Sequence, residues 1–386
     1  MTVTRDATIT FFPVGNGDTS LITLADNTNL LIDLNVTQAS GDDDEPSCYD
    51  VHEHLLRELP RDADDRPHLD VFVVTHPDQD HVRGVETAFY FGPPEKYGKK
   101  HKDAGLIIVD ELWFAPRIFG AHEDALCDDA EKVRAEAERR IEVFKASKTK
   151  VLDAGDRVRI IGFTDNEDLK KLAKIMVAPG TVLDSFNHKH RDDFEFFVHA
   201  PFKRDSDDED GCRNDTSIVL QARFAVGDDK RAALAFFGGD AGCCIWEDIF
   251  NRSDDEDLEW DLLLAPHHCS WTFFSETSSE DEEHSDTIMG FLDKRREGAV
   301  VVVSSKPIED DDDNPPHYIA AERYREKVGK DNVYCTADEG TEDKPEPVHF
   351  SITANGPVKD RYGGSSEVRS SAARKATITT PKTYGR

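Results

Sequence analysis

The sequence contains no run approaching the ~18 apolar residues of a membrane span, and its first fifteen residues lack the charged-then-apolar pattern of a secretory signal. A soluble cytoplasmic protein is therefore expected. Cysteine pairing signals are missing as well. The seven cysteines include no CxxC pair, and an odd count fits reduced thiols better than a disulfide framework. Positive charge is scarce, with 47 Lys and Arg against 79 Asp and Glu for a formal net charge of -32. The average field of such a chain repels phosphates and argues against broad, nonspecific contact with a polyanion, although bound cations can reverse the sign locally. No GxGxxG or GxxxxGK spacing occurs, so the GNGD stretch at 15–18 reads as a hairpin turn rather than a nucleotide cradle. The helical composition of 123–147 carries no clean heptad, which gives no support to a coiled-coil partner.

Much of the acidic excess sits in runs, at 41–47, 204–211, 253–259, 278–286 and 309–316, which read as solvated loop insertions. Between them the pattern alternates. Strands are expected over 7–14, 19–26, 29–35, 69–75, 105–114, 151–163 and 194–202, with helices over 50–59, 123–147 and 166–176. The second half repeats the rhythm, with a hairpin over 216–226 and 231–240, strands over 261–270 and 298–305, and a helix over 316–329. Strands over 332–340 and 347–356 then close the sheet. Two sheets covered by helices follow, an α/β fold of αββα sandwich type built from two related halves. One domain spans 1–360, and the Ser/Thr/Gly-rich stretch 361–386 reads as a flexible tail.

Three of these strands end in residues that bind metals. VFVVT releases His76, Asp78, Asp80 and His81; LAFFGG releases Asp240; LLLAP releases His267 and His268. Strands lying side by side would bring these ends to one rim, where loops on a rigid scaffold usually build sites. A nitrogen and oxygen donor set without thiolate suits zinc, manganese or iron(II). His76, Asp78, Asp80, His81, Asp240 and His267 exceed what one tetrahedral ion needs, whereas two divalent ions sharing a bridging carboxylate and hydroxide would use them all.

In this order the motifs resemble the metallo-β-lactamase superfamily and, within it, its ComEC-like competence-type branch. HPDQDH at 76–81 matches the branch's HPDxDH. FPVGNGDTSLI (12–22) and NLLIDLN (29–35) resemble its opening elements, and NDTSIVL (214–220), FFGGDA (236–241), APHHCS (265–270) and NPPHYIAAERY (314–324) its later ones. The resemblance covers most of residues 8–356 and implies a metal-dependent hydrolase with two divalent ions, Zn or Mn, and a metal-bridged hydroxide. Its substrate would be a phosphodiester in DNA, RNA or a nucleotide. Hydrolysis of an ester, thioester or lactam, or a metal-stabilised regulatory subunit without activity in a multi-component system, are the alternatives.

By position, the resemblance implies that His76 and Asp78 face one ion, that Asp80 and His81 hold the second with His267, and that Asp240 bridges. No counterpart exists for the superfamily's usual histidine before the bridging Asp; Asn214 to Ser217 occupy that region as candidate substrate contacts. His268, Ser270 and His317 would contact the substrate's oxyanion or leaving group, and Asp33 would orient a metal-bearing loop. Cys269 stands where the family has glycine, so a positive φ there would strain the loop. The basic stretch EKYGKKHKD (95–103) reads as a solvated loop, with approach of a nucleic-acid strand as the alternative; Trp271, Phe273 and Phe274 read mainly as core, with stacking on a base as the alternative.

Overall fold

The computed structural model describes residues 6–36, 49–120, 125–162, 171–202, 213–276, 283–341 and 344–360. The acidic runs at 41–47 and 204–211, residues 278–282 of the run at 278–286, residues 166–170 of the helix expected over 166–176, and the expected tail 361–386 lie outside these residues. Residues 171–175 form turns and Met176 begins a strand, so the described part of that segment is not helical. Two large mixed sheets dominate, one of ten strands and one of seven, and helices flank both.

Each sheet changes character partway across. In the N-terminal sheet Thr8–Phe11, Ser20–Thr23 and Asn29–Ile32 run antiparallel, and His68–Val74, Ile107–Phe114 and Arg157–Ile161 then continue in parallel. In the C-terminal sheet Phe194–Ala200, Val219–Val226 and Asp229–Phe237 run antiparallel, followed in parallel by Trp260–Leu264, Arg295–Val303 and Val333–Cys335. The two halves therefore share a strand plan that has no echo in sequence identity. The chain does not close the second sheet as expected. Val333–Cys335 ends it, but Val348–Thr353 crosses back to pair with Thr8–Phe11.

Alternation along the strands explains the layering, because successive side chains face opposite sides. Val71 and Val73 point into a core shared with Phe237, Leu262 and Val302 of the other sheet. Phe72 and Val74 face away, into a second core with Val51 and Leu55 of helix Val51–Glu58 and with Val133, Ile141 and Phe144 of helix Asp128–Ala146. A third core packs Phe236, Leu263 and Val301 against Trp246, Phe291 and Tyr324. These last come from helices Cys243–Arg252, Asp286–Leu292 and Tyr318–Val328.

Local chemistry sets the helix ends. Asp50 caps Val51–Glu58 by accepting from the Glu53 amide at 2.7 Å. Asp50→Ala is expected to lower stability by about 1 kcal/mol, read as a shifted urea midpoint with an unchanged slope.

Because the central strands of both sheets are parallel, their carboxyl ends gather on one rim, the usual place for a site in an α/β sheet. None of the five described cysteines is in a disulfide. Among the described residues no helix is long and apolar enough to cross a membrane.

Candidate metal centre

Four strand ends and one turn meet at this rim. Asn29–Ile32 is followed by Asp33, His68–Val74 by Thr75 to His81, Asp229–Phe237 by Asp240, and Trp260–Leu264 by His267 and His268. The turn at Gly15 to Asp18 is tied in by the Asp18 amide, which donates to Asp80 O at 3.2 Å. Two glycines allow these loops to approach. A Cβ on Gly239 (φ +48) would stand 2.6 Å from Thr75 Oγ1, and one on Gly17 (φ +153) would stand 2.1 Å from Asn35 Nδ2. Any other residue at either position would push the loops apart.

Asp240, 3% exposed, lies at the centre. Its Oδ2 is 3.6 Å from His76 Nε2 and 3.4 Å from His267 Nε2; its Oδ1 is 3.0 Å from His81 Nε2 and 3.6 Å from His268 Nε2. Asp78 stands on the His76 side, 3.8 Å from Nε2, and Asp80 on the other, 3.3 Å from His268 Nε2. Asp18 faces His268 Nδ1 at 3.4 Å. Asp18, His81, Asp240 and His268 are all buried and offer ligand atoms within 4.8 Å of one another, a cluster that could hold a metal ion.

The hydrogen-bond network assigns the tautomers of three of the histidines. The carboxylate of Asp33 accepts from the Thr75 amide at 2.7 Å, from Thr75 Oγ1 at 2.6 Å and from His81 Nδ1 at 2.8 Å. Since Thr75 Oγ1 donates to Asp33, it accepts from His76 Nδ1 at 3.1 Å. A second chain runs through the other loop. Asn314 Oδ1 can only accept, so Ser270 Oγ donates to it at 2.8 Å; Thr272 Oγ1 donates to Ser270 at 3.0 Å and accepts from His267 Nδ1 at 3.1 Å.

His76, His81 and His267 therefore carry their protons on Nδ1 when neutral and turn bare Nε2 lone pairs toward a carboxylate. The Nε2 atoms of His76, His81 and His268, and Oδ1 of Asp18 and Asp240, are buried without an aligned hydrogen bond. Lone pairs converging on an anion leave an electron-rich space that a cation fits. With no cation present, protons on the imidazoles answer the same carboxylates. Burial opposes charge on Asp240, yet the facing imidazoles of His81, His268 and His76 hold its carboxyl well below the usual range. Burial likewise opposes charge on His268, but Asp240 and Asp18 outweigh it and push the imidazole up to about 10.

The grouping of the paired histidines differs from the expected one. His267 stands with His76 on the Oδ2 side, and His268 takes the place beside His81. The cause is local: His267, His268 and Cys269 have φ values of 50°, 52° and 71°, so three consecutive left-handed residues turn adjacent side chains to different oxygens. Asp18 is the residue that sequence reasoning missed. It was visible only as the end of the GNGD turn, and its burial at 2% is the signal that marks it.

Other expected site residues hold the loops. Ser270 is buried and its hydroxyl is engaged in positioning His267. His317 caps helix Tyr318–Val328, with Nδ1 accepting from the Ala320 amide and its own amide donating to Cys269 O. Ser217 is buried next to Ile218, whose amide donates to Thr75 O, and its own amide donates to Asn214 O. Trp271, Phe273 and Phe274 are at most 2% exposed and pack on Tyr324 and His317, so they are not free to stack on a base. The basic stretch forms helix Lys99–Asp103 ahead of strand Ile107–Phe114, at the opposite rim, where Lys102 pairs with Asp65 at 2.9 Å. Thr272→Val is expected to weaken metal binding about tenfold by freeing the His267 ring, measured by competition with a metal indicator dye.

No protein-family model matches the chain, and no curated protein matches it.

Proposed function

We propose that the chain is a metal-dependent hydrolase of the metallo-β-lactamase type, an αββα sandwich that cleaves small phosphodiesters with zinc or manganese. The observation that carries this reading is the convergence of three tautomer-fixed Nε2 lone pairs on the two oxygens of Asp240. His76, Asp78 and His267 would hold one divalent ion against Oδ2, and Asp80, His81, His268 and Asp18 a second against Oδ1. Bound there, such ions supply an acidified water near neutral pH and stabilise charge developing on a phosphoryl oxygen.

The protein's own part is positioning. Asp33 and Thr75 lock the His76 and His81 rings, the Thr272–Ser270–Asn314 chain locks His267, and burial keeps competing water from the donor atoms. The surroundings argue for a small substrate over a long nucleic acid. The loop after Arg295–Val303 is tied to the site by Ser304 donating to Gly17 O and by Asn16 donating to Pro315 O, and it exposes Glu309 and Asp310 to Asp313. Lys306, the cation of that loop, is paired with Asp313. An exposed carboxylate wall repels an extended polyanion more strongly than a single phosphodiester.

The test is a metal-by-substrate screen of the purified protein with added Mn or Zn, combined with elemental analysis. Chromogenic phosphodiesters and a mononucleotide-sized diester should turn over; a carboxyl ester, a thioester and a lactam should not. Selective ester or lactam turnover would replace the substrate class. Stoichiometric metal with no hydrolysis in any arm would leave a metal-stabilised interaction component.

A further inference from the structure

Away from the metal centre, an open cleft of about 190 Å³ lies at the edge of the N-terminal sheet. It lies between the carboxyl end of helix Asp128–Ala146 and strands Arg157–Ile161 and Met176–Val177. In register, Arg157 is level with Glu111, and Glu111 with Val71. The cavity is thus five residues upstream of His76, about 17 Å along the strand direction, and two strands across. Its floor is apolar, from Phe144, Leu152 and Val158. Its rim is cationic, which is unexpected in a chain of net charge -32.

Lys150, Arg157 and Lys174 all line it. Arg157 uses Nε to donate to Leu152 O at 3.0 Å, which leaves the two Nη groups of its fork. Lys150 Nζ donates to Phe144 O and Lys145 O, each at 2.7 Å, and lies 4.9 Å from the Phe144 ring centroid. No carboxylate among the described residues pairs with any of the three. Glu111, the acid that lines the cavity, is taken by Arg159 at 2.5 Å and by the Asn187 amide at 2.8 Å. Cations without a carboxylate partner among the described residues, above an apolar floor in a small open cleft, match a molecule with a dianionic head on a flat apolar body.

We infer that this cleft is a second ligand site, independent of the metal centre, for a small phosphorylated molecule whose apolar ring system rests on its floor. The arginine fork suits a phosphate, the two lysines complete its charge, and the floor covers the ring.

Isothermal titration of the full chain, treated with EDTA and dialysed so that the metal centre holds no ion, tests this with AMP as the probe. One AMP should bind per chain, with adenosine and inorganic phosphate each at least about tenfold weaker. Arg157→Ala and Lys174→Glu should each weaken AMP about tenfold or more, as expected for loss of a charge-assisted contact. Lys174 is exposed, so its variant keeps the test valid even if Arg157→Ala disturbs the loop at Leu152. Absence of AMP binding, equal affinity for phosphate alone, or unchanged affinity in Lys174→Glu would overturn the inference. None of these outcomes bears on the metal centre.

Discussion

Asp240→Ala is expected to reduce hydrolysis at least about a thousandfold and to bring bound metal down to background, while the fold survives. Among the described residues Asp240 is the one side chain whose two oxygens face both histidine groups, at 3.0 to 3.6 Å. Without it no shared anion draws His76 and His267 together with His81 and His268. A divalent ion contributes several kcal/mol to transition-state stabilisation, and about 4 kcal/mol already corresponds to three decades in rate. The fold should persist because Asp240 belongs to a loop and not to any of the three cores. Elemental analysis, initial rates on a chromogenic phosphodiester and circular dichroism form the test. Wild-type turnover in a folded, metal-free Asp240→Ala protein would remove the metal centre from the mechanism.

Much of this arrangement can be read from periodicity and strand-end chemistry. The apolar runs before HPDQDH, GGDA and PHHCS are the central strands, and their parallel order places those ends together. The orienting role of Asp33 came from the resemblance carried by NLLIDLN, and the structure gives it three donors to hold.

Other features depend on contacts between distant parts of the chain. Whether His267 or His268 faces a given oxygen is decided by left-handed backbone, which residue spacing does not report. Cys269 at φ +71 retains the strain expected where glycine was looked for, of order 1–3 kcal/mol. The alternative of a nucleic-acid contact at the basic stretch rested on adjacency: it follows HPDQDH closely in sequence, but a parallel crossover must return the chain to the opposite rim. Helix Cys243–Arg252 has no sequence signal at its start, because its N-cap is Gly242, which offers no capping side chain.

Asp33→Asn separates the positioning role of this residue from its place in the fold. Asp33 has φ +57, a region that asparagine tolerates, and the two side chains have nearly the same shape. The amide oxygen can still accept from the Thr75 amide. The amide nitrogen then occupies the position of Oδ2, where Thr75 Oγ1 at 2.6 Å and His81 Nδ1 at 2.8 Å both donate. A donor facing two donors forces both partners to become acceptors. His81 must move its proton to Nε2. Thr75 must turn its hydroxyl hydrogen away from residue 33, toward His76 Nδ1, so His76 also becomes protonated on Nε2. Two N–H groups would then replace two of the lone pairs aimed at Asp240. Loss of one supporting partner at a metal-bound histidine typically costs 10–100-fold in affinity; two rings reversed together predict a loss of about 10² to 10⁴. Nitrogen-15 NMR of labelled histidine should show both rings without their Nδ1 proton in the metal-free variant. Competition with an indicator dye should show the weakened metal binding, with the urea midpoint falling far less than in Asp33→Ala, which leaves all three donors unpaired. Wild-type metal affinity in Asp33→Asn would mean that the ring tautomers do not control the site.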